Sequence, residues 1–179
     1  MNAAESNNPD IVGELLARQA DVNIVNNDKI TALQLAEENN NKDVVIILKA
    51  LNNNKDNLNK DMLAAAGEGN QRLVQGLITA GADLETRDEN NNTALHLSAE
   101  KGHESVVRFL LQLGIDVNIR GRDNRRPLIL AAGYGHHKIA KLLIRRGADL
   151  NLQSEYGTAL KIAALNGHIS IVCDLLEAG

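Results

Sequence analysis

A short segment recurs along this chain at an almost constant interval, and this constrains the fold more than any other feature. The dipeptide Gly102-His103 reappears as Gly135-His136 and Gly167-His168, at steps of 33 and 32 residues. A second motif, Ile115-Asp116-Val117-Asn118, returns as Ala148-Asp149-Leu150-Asn151 after 33 residues. Because two independent motifs keep one period, we interpret the chain as a tandem array of similar structural repeats.

The residues inside one period predict two short helices. Thr93 is a good N-cap for the first helix, and Pro127 is tolerated at the first helical position of the equivalent segment. Gly102 can adopt the left-handed conformation that ends this helix. The segment Glu104–Gln112 then carries apolar residues at helical spacing. Each repeat is therefore predicted to be a helix, a turn and an amphipathic second helix.

With this period and the segment Thr93-Ala94-Leu95-His96, the sequence resembles the ankyrin repeat family, whose unit is a β-turn plus two helices. The resemblance implies an all-α repeat fold, an ankyrin solenoid of helix-turn-helix units with β-hairpin or turn connections. We expect stability to come from contacts between adjacent repeats. We divide the single domain 1–179 into a partial repeat at about 1–25, a degenerate repeat at 26–54, full repeats at 55–87, 88–120 and 121–152, and a C-terminal repeat at 153–179.

The second repeat departs most from the pattern. Asn39-Asn40-Asn41 stands where Gly-His is expected, and Asn52-Asn53-Asn54 stands where the later repeats have Gly-Ala-Asp. Because Asn also adopts left-handed backbone, the helix can still end there. We predict a shorter or bent connection near Asn52–Asn59.

Composition and charge narrow the functional classes. A formal charge of -4 disfavours general attraction to nucleic acid or to anionic membranes. The single cysteine, Cys173, allows no intramolecular disulfide, and we expect a reducing compartment. Met1–Asp10 lacks the basic and apolar segments of a secretory signal, and no stretch approaches the ~18 apolar residues of a membrane span. We expect a monomeric cytoplasmic protein, or one in the host cytosol if it is a secreted effector.

The residues that could carry chemistry favour structural roles. His103, His136 and His168 occupy equivalent places ~8–10 Å apart, too far for one zinc ion with bonds of ~2.0–2.1 Å. We interpret them as hydrogen-bonding partners of turn backbone. Ser98 lies in no nucleophile turn, and Cys173 is interpreted as a small, half-buried residue. We therefore predict no catalytic residue, no metal, no cofactor and no enzyme.

The fifth repeat is strongly basic. Between Val117 and Arg146 the only acidic residue is Asp123. The eight basic residues there are Arg120, Arg122, Arg125, Arg126, Lys138, Lys141, Arg145 and Arg146. Tyr134 accompanies this charge, and Tyr with Arg is the composition of a binding hot spot.

The ankyrin resemblance implies that a partner contacts the turn tips and the exposed positions of the first helices. In this sequence those positions are Glu89, Asn90, Asn92, Glu100 and Lys101, then Arg122, Asp123, Arg125, Gly133 and Tyr134, and finally Ser154, Glu155, Leu165 and Asn166. We expect a non-catalytic interaction module that binds a protein with an acidic patch. Arg145 and Arg146 are interpreted as a solvated face outside this surface.

Other interpretations stay open on the sequence. The array is also consistent with the substrate-recruiting or targeting region of a larger multidomain enzyme or bacterial effector. Nucleic-acid binding through the fifth repeat is disfavoured by the net charge and by the lack of a stacking platform. In the ankyrin family, hydroxylation of turn asparagines is a further possibility for Asn23, Asn118 and Asn151, but a side chain that braces the turn is the preferred interpretation.

Overall fold

The computed structural model describes residues 2–53 and 55–179, which form helices in pairs. Their bounds are α1 Asn2–Glu5, α2 Pro9–Ala17, α3 Ala32–Glu38, α4 Lys42–Asn53, α5 Lys55–Glu68, α6 Gln71–Thr79, α7 Ala94–Lys101, α8 Glu104–Gln112, α9 Pro127–Gly133, α10 His137–Arg145, α11 Ala159–Leu165 and α12 Ile169–Ala178. The chain divides into an N-terminal lobe, Met1–Ala65 with Asn70–Thr86, and a C-terminal lobe, Ala66–Gly69 with Arg87–Gly179.

The C-terminal lobe is a regular stack of the predicted kind. The first helices α7, α9 and α11 pack side by side, and the second helices α8, α10 and α12 form a parallel layer. Small residues such as Ala99 and Ala131 are fully buried between the first helices. Val107 and Leu143 fill the layer formed by the second helices. The predicted all-α repeat fold is therefore confirmed.

The connections between repeats are turns, and the described residues form no β-sheet. Isolated bridges join Val25 to Thr31 and Ser154 to Gly157. In the later repeats the turn is closed by a side chain, since Asp116 Oδ1 accepts from Asn118 N at 2.8 Å. Among the described residues the connections are therefore turns, closed by short polar side chains and by these isolated bridges.

The repeat histidines connect neighbouring repeats. Nε2 of His103 lies 2.9 Å from the carbonyl oxygen of Gly67. Nε2 of His136 lies 2.8 Å from that of Glu100, and Nε2 of His168 lies 3.1 Å from that of Gly133. Each imidazole thus contacts a carbonyl oxygen near the end of the preceding repeat's first helix. The interpretation of these histidines as partners of backbone groups is confirmed.

Asparagines take over both the glycine and the histidine positions in the second repeat. Asn40 has φ 55, the left-handed conformation that Gly102 adopts at φ 83 in the fourth repeat. Asn41 Nδ2 donates to the carbonyl oxygen of Glu5 at 2.9 Å, as the histidines do in later repeats. The prediction that Asn still ends this helix is confirmed.

The N-terminal lobe is not a simple stack of neighbours. Helix α2 of the first repeat packs directly against α6 of the third. The two helices meet at glycines, since a Cβ on Gly13 would lie 2.6 Å from the carbonyl oxygen of Gly76. This contact between the first and third repeats adds to the expected contacts between adjacent repeats, such as α1 with α3 and α2 with α4. Side-chain-free positions allow two non-neighbouring helices to approach closely.

The degenerate second repeat leads almost directly into the third. Helix α4 ends at Asn53 and α5 begins at Lys55. The predicted connection near Asn52–Asn59 includes Asn54, which lies outside the described residues. Because the Gly-Ala-Asp turn is missing from this sequence, helical residues stand on both sides of that position.

Candidate protein-binding groove

The turn tip of the fifth repeat is held in an unusual backbone conformation. Asp123 has φ 54 and Asn124 has φ 56, the left-handed region that Asn and Asp tolerate best among non-glycine residues. Arg122 reaches back to Asn90, with Nη1 2.8 Å from Oδ1. Arg125 Nη2 donates to Asp123 Oδ2 at 3.2 Å. The local sequence therefore fixes both arginines at the tip.

Arg125 is positioned from two sides. Its guanidinium carbon lies 5.5 Å from the centre of the Tyr156 ring, within cation-π distance. Asp123 neutralises part of its charge from the other side, and the Arg125 side chain is 28% exposed. Tyr156, which belongs to the turn of the sixth repeat, remains 56% exposed. The two turn tips thus form a rigid aromatic and cationic edge.

A groove of about 600 Å³ runs between helices α9 and α11 below this edge. Its apolar floor and walls are supplied by both first helices, which touch where Gly133 faces Ile162. Tyr134 and Leu165 stand at the helix ends and are 54% and 74% exposed. The lining residues are Arg125, Ile129, Leu130, Gly133, Tyr134, Glu155, Tyr156, Lys161, Ile162, Leu165 and Asn166.

Neighbouring contacts fix the end of the groove that carries Tyr134. The Tyr134 ring stacks on the His136 imidazole, with the ring centres 6.3 Å apart and the planes 15° apart. His136 is itself tied to the Glu100 carbonyl oxygen. Asn166 Nδ2 donates to the Gly133 carbonyl oxygen at 2.8 Å across the groove. Because these contacts already hold this end of the groove in place, less conformational entropy is lost there when a partner binds.

The fifth repeat begins its first helix without a side-chain cap. Arg126 occupies the N-cap position, makes no capping hydrogen bond, and is followed by Pro127. This repeat therefore lacks the cap that Thr158 provides to α11 by accepting from Lys161 N, a contribution of ~1 kcal/mol. The structure adds that Arg126 is buried, and its Nη1 donates to the Asn124 carbonyl oxygen at 2.8 Å. Arg126 therefore supports the turn tip and does not line the groove.

The predicted contact residues separate into two sets. Arg125, Gly133, Tyr134, Glu155, Leu165 and Asn166 line the groove together. Asn90 and Asn92 instead support the fifth-repeat tip through Arg122, and Lys101 pairs with Glu100 at 3.4 Å. Glu89 is exposed outside the groove, and Ser154, expected at the contact surface, is 8% exposed because it closes the turn through Gly157.

Five lining residues were missed by sequence reasoning. They are Ile129, Leu130, Tyr156, Lys161 and Ile162. Tyr156 follows Glu155 in a turn already assigned to the surface, so its position was a usable signal. The two isoleucines and Leu130 resembled core residues, because periodicity does not distinguish the floor of a groove from a core.

His96 lies buried under the fourth-repeat turn and outside the groove. It is 0% exposed, and its Nδ1 accepts a hydrogen bond from Thr93 N at 3.2 Å. This bond places the ring proton of neutral His96 on Nε2. Burial lowers the pKa of His96 to about 4, and the positive charge of Arg87 also lowers it. His96 is thus a neutral structural residue at physiological pH.

Three side chains form a polar cluster on the second helices of the last two repeats. His137 Nε2 lies 2.8 Å from Asp174 Oδ2, and Lys141 Nζ lies 3.5 Å from Asp174 Oδ1. Within residues 2–53 and 55–179, no group of three or more His, Cys, Asp or Glu side chains could hold a metal ion. Cys173, expected to be half-buried, is exposed on α12, so that expectation was wrong.

Across the described part of the chain, no helix combines the length and the apolar character required to cross a bilayer.

The chain belongs to the ankyrin repeat family. The family model for ankyrin repeats, three copies in length, matches residues 1–88, 61–154 and 120–179, which together cover the chain. A search of curated proteins finds no match. Ankyrin repeats generally act as protein-protein interaction modules, and the family is typically non-catalytic.

Proposed function

We propose that this chain is a non-catalytic interaction module that holds a protein partner in the groove between α9 and α11. The observation that carries the proposal is the concentration of large exposed apolar side chains there. Tyr134, Tyr156 and Leu165 are each more than half exposed and line one continuous depression. Single exposed apolar residues are ordinary, whereas a contiguous patch rimmed by polar groups is typical of binding sites.

The residue types suit a hot spot for protein binding. Tyr and Arg are the residues most enriched where truncation costs the most binding energy. Here Tyr134 stacks on His136, and Arg125 is held between Asp123 and Tyr156. Because these contacts exist before a partner arrives, less conformational entropy is lost on binding. Two aromatic rings and an oriented arginine therefore supply a preorganised anchor.

The positive charge of exposed side chains near the groove favours a partner whose surface is acidic where it contacts the turn tips. Arg122 is exposed at the fifth-repeat tip, and Lys161 is exposed on the groove wall. Complementary charge at the rim accelerates association and selects among partners more than it raises affinity. The proposed module acts as a monomer in the cytoplasm, in keeping with its single cysteine.

A comparison of three chains in extract from the source cell tests this proposal. The first is the wild type, the second carries Tyr134→Ala with Leu165→Ala, and the third carries Arg145→Glu with Arg146→Glu. The last two positions are exposed and do not line the groove. We expect the first and third chains to retain the same partner and the second to lose it. Equal retention by all three would place binding on another surface.

A further inference from the structure

We propose that the groove recognises an extended peptide segment in which an apolar side chain stands next to a carboxylate. This inference rests on the proposed function, because it names the chemistry of the partner at the same groove. The occupant is a short linear segment of an acidic protein, and the groove's length, floor and charge each indicate it.

The length of the groove fits a few residues of extended chain. Helices α9 and α11 each contain seven residues. Seven helical residues rise about 10 Å, and about three extended residues span the same distance. The volume of about 600 Å³ lies in the range of ordinary ligand sites. A segment of about three residues therefore fills the groove from the turn tips to the helix ends.

The floor of the groove provides the apolar part of the recognition. Ile129 and Leu130 come from α9, and Ile162 and Leu165 come from α11. The Tyr134 ring stands at one end of this floor, where its contact with His136 fixes it. An apolar ligand side chain placed here would cover part of the exposed Leu165 and Tyr134 side chains, and removing apolar surface from water is favourable. The site therefore favours an aliphatic or aromatic side chain.

The positively charged side chains of the groove provide the recognition of the carboxylate. Arg125 and Lys161 line it, against one carboxylate, Glu155. Arg125 already shares its charge with Asp123. Lys161 is exposed and forms no ion pair with any residue that the structure describes. A ligand carboxylate placed beside the apolar residue would neutralise Lys161, whereas a ligand lysine there would face two positive groups.

A random peptide library displayed on phage, selected on the whole chain, tests the inference without a known partner. Parallel selections use the wild type, Lys161→Glu and the matched control Arg145→Glu, which reverses an exposed charge outside the groove. On the wild type and the control, we expect enriched sequences with an apolar residue next to Asp or Glu. On Lys161→Glu we expect the acidic preference to disappear.

The enriched peptide, labelled with fluorescein, then gives affinities by fluorescence anisotropy. Lys161→Glu should weaken binding about tenfold at low salt and less at high salt, because the contact is exposed. Tyr134→Ala should weaken binding at both salt concentrations. The control should bind as the wild type does.

Two results would overturn the inference. One is that no peptide is enriched on the wild type, and the other is that enriched peptides lack acidic residues or bind Lys161→Glu equally well. If cell extract still yields a partner that requires Tyr134 and Leu165, the proposed function stands, and the partner binds through a folded surface. If the extract experiment also fails, the groove assignment falls with the inference.

Discussion

Lowering the pH should destabilise the C-terminal lobe through one buried side chain, His96. Its Nδ1 accepts from the backbone N-H of Thr93 and lies 2.9 Å from the Thr93 hydroxyl oxygen. Protonation of His96 would put a second proton on Nδ1, opposite a backbone donor and away from water. The native fold therefore binds this proton far less readily than the unfolded chain does.

The magnitude follows from the two pKa values. The pKa of His96 is about 4 in the fold, against 6.5 for an ordinary histidine. Between these values the unfolded state binds more protons, so stability falls as the pH falls. The contribution of His96 is intact above about pH 6.5 and is lost progressively towards about pH 4. At about pH 5 the native state should be about 2 kcal/mol less stable than at about pH 7.

Another repeat of the same chain provides the matched variant. Gln34 occupies the equivalent place in the second repeat, and its Oε1 accepts from Thr31 N at 2.8 Å. His96→Gln therefore keeps the hydrogen bond to the N-cap and removes the titration. Urea unfolding followed by far-UV circular dichroism at about pH 7 and about pH 5 gives the free energies of unfolding of both chains.

We expect the wild type to lose about 2 kcal/mol more than His96→Gln over this pH interval. The carboxylates and the other histidines are present in both chains, so their contributions cancel. Equal losses in the two chains would refute the reasoning. An NMR titration in which the His96 ring changes charge near pH 6.5 would refute it as well.

Three further predictions concern the repeat contacts and the groove. Gly135→Ala should lower the free energy of unfolding by about 2–3 kcal/mol, because the φ of Gly135 is +77 and a Cβ there would lie 2.6 Å from the His168 imidazole. Gly147 has a similar φ of +83 but open space around it, so Gly147→Ala should cost only about 1 kcal/mol in the same urea experiment. Asn118→Ala should cost about 1 kcal/mol, because Asn118 Oδ1 accepts from Asp149 N at 2.9 Å, and an unchanged urea midpoint would contradict this role. Tyr134→Ala should change the midpoint little, because the side chain is more than half exposed, and a large loss would mean that the ring is structural.

The repeat period predicts much of the C-terminal lobe because each motif has a local physical cause. A Gly that ends a helix and an Asp that closes a turn act within a few residues of themselves. Even the asparagines of the second repeat follow this logic, since Asn40 adopts the left-handed conformation. Local rules of this kind are visible in a sequence.

The N-terminal lobe contains a helix contact that local sequence rules do not predict. The close contact between α2 and α6 depends on Gly13 and Gly76, which lie far apart in the chain. A glycine inside a helix costs ~1 kcal/mol relative to Ala, so each is a weak signal of close packing. The period relates each repeat only to its neighbours. It therefore gives no reason to pair the first repeat with the third.

The groove was partly predictable for a similar reason. The repeat pattern marks Tyr134 and Arg125 as exposed, and the charge pattern singles out their repeat. It does not show that Lys161 and Tyr156 complete the same depression, because that depends on the spacing of two helices in three dimensions. Nor does it show that Asp123 holds Arg125, which follows from a left-handed backbone at the turn tip.

Photo-crosslinking in source-cell extract tests the central claim most directly, because it reports which surface touches the partner. Benzoylphenylalanine would replace Leu165 in the groove in one chain and the exposed Arg145, on the second helix α10, in another. We predict a discrete protein adduct from the first position and none from the second. An adduct from Arg145 alone would contradict the assignment of the groove as the binding surface.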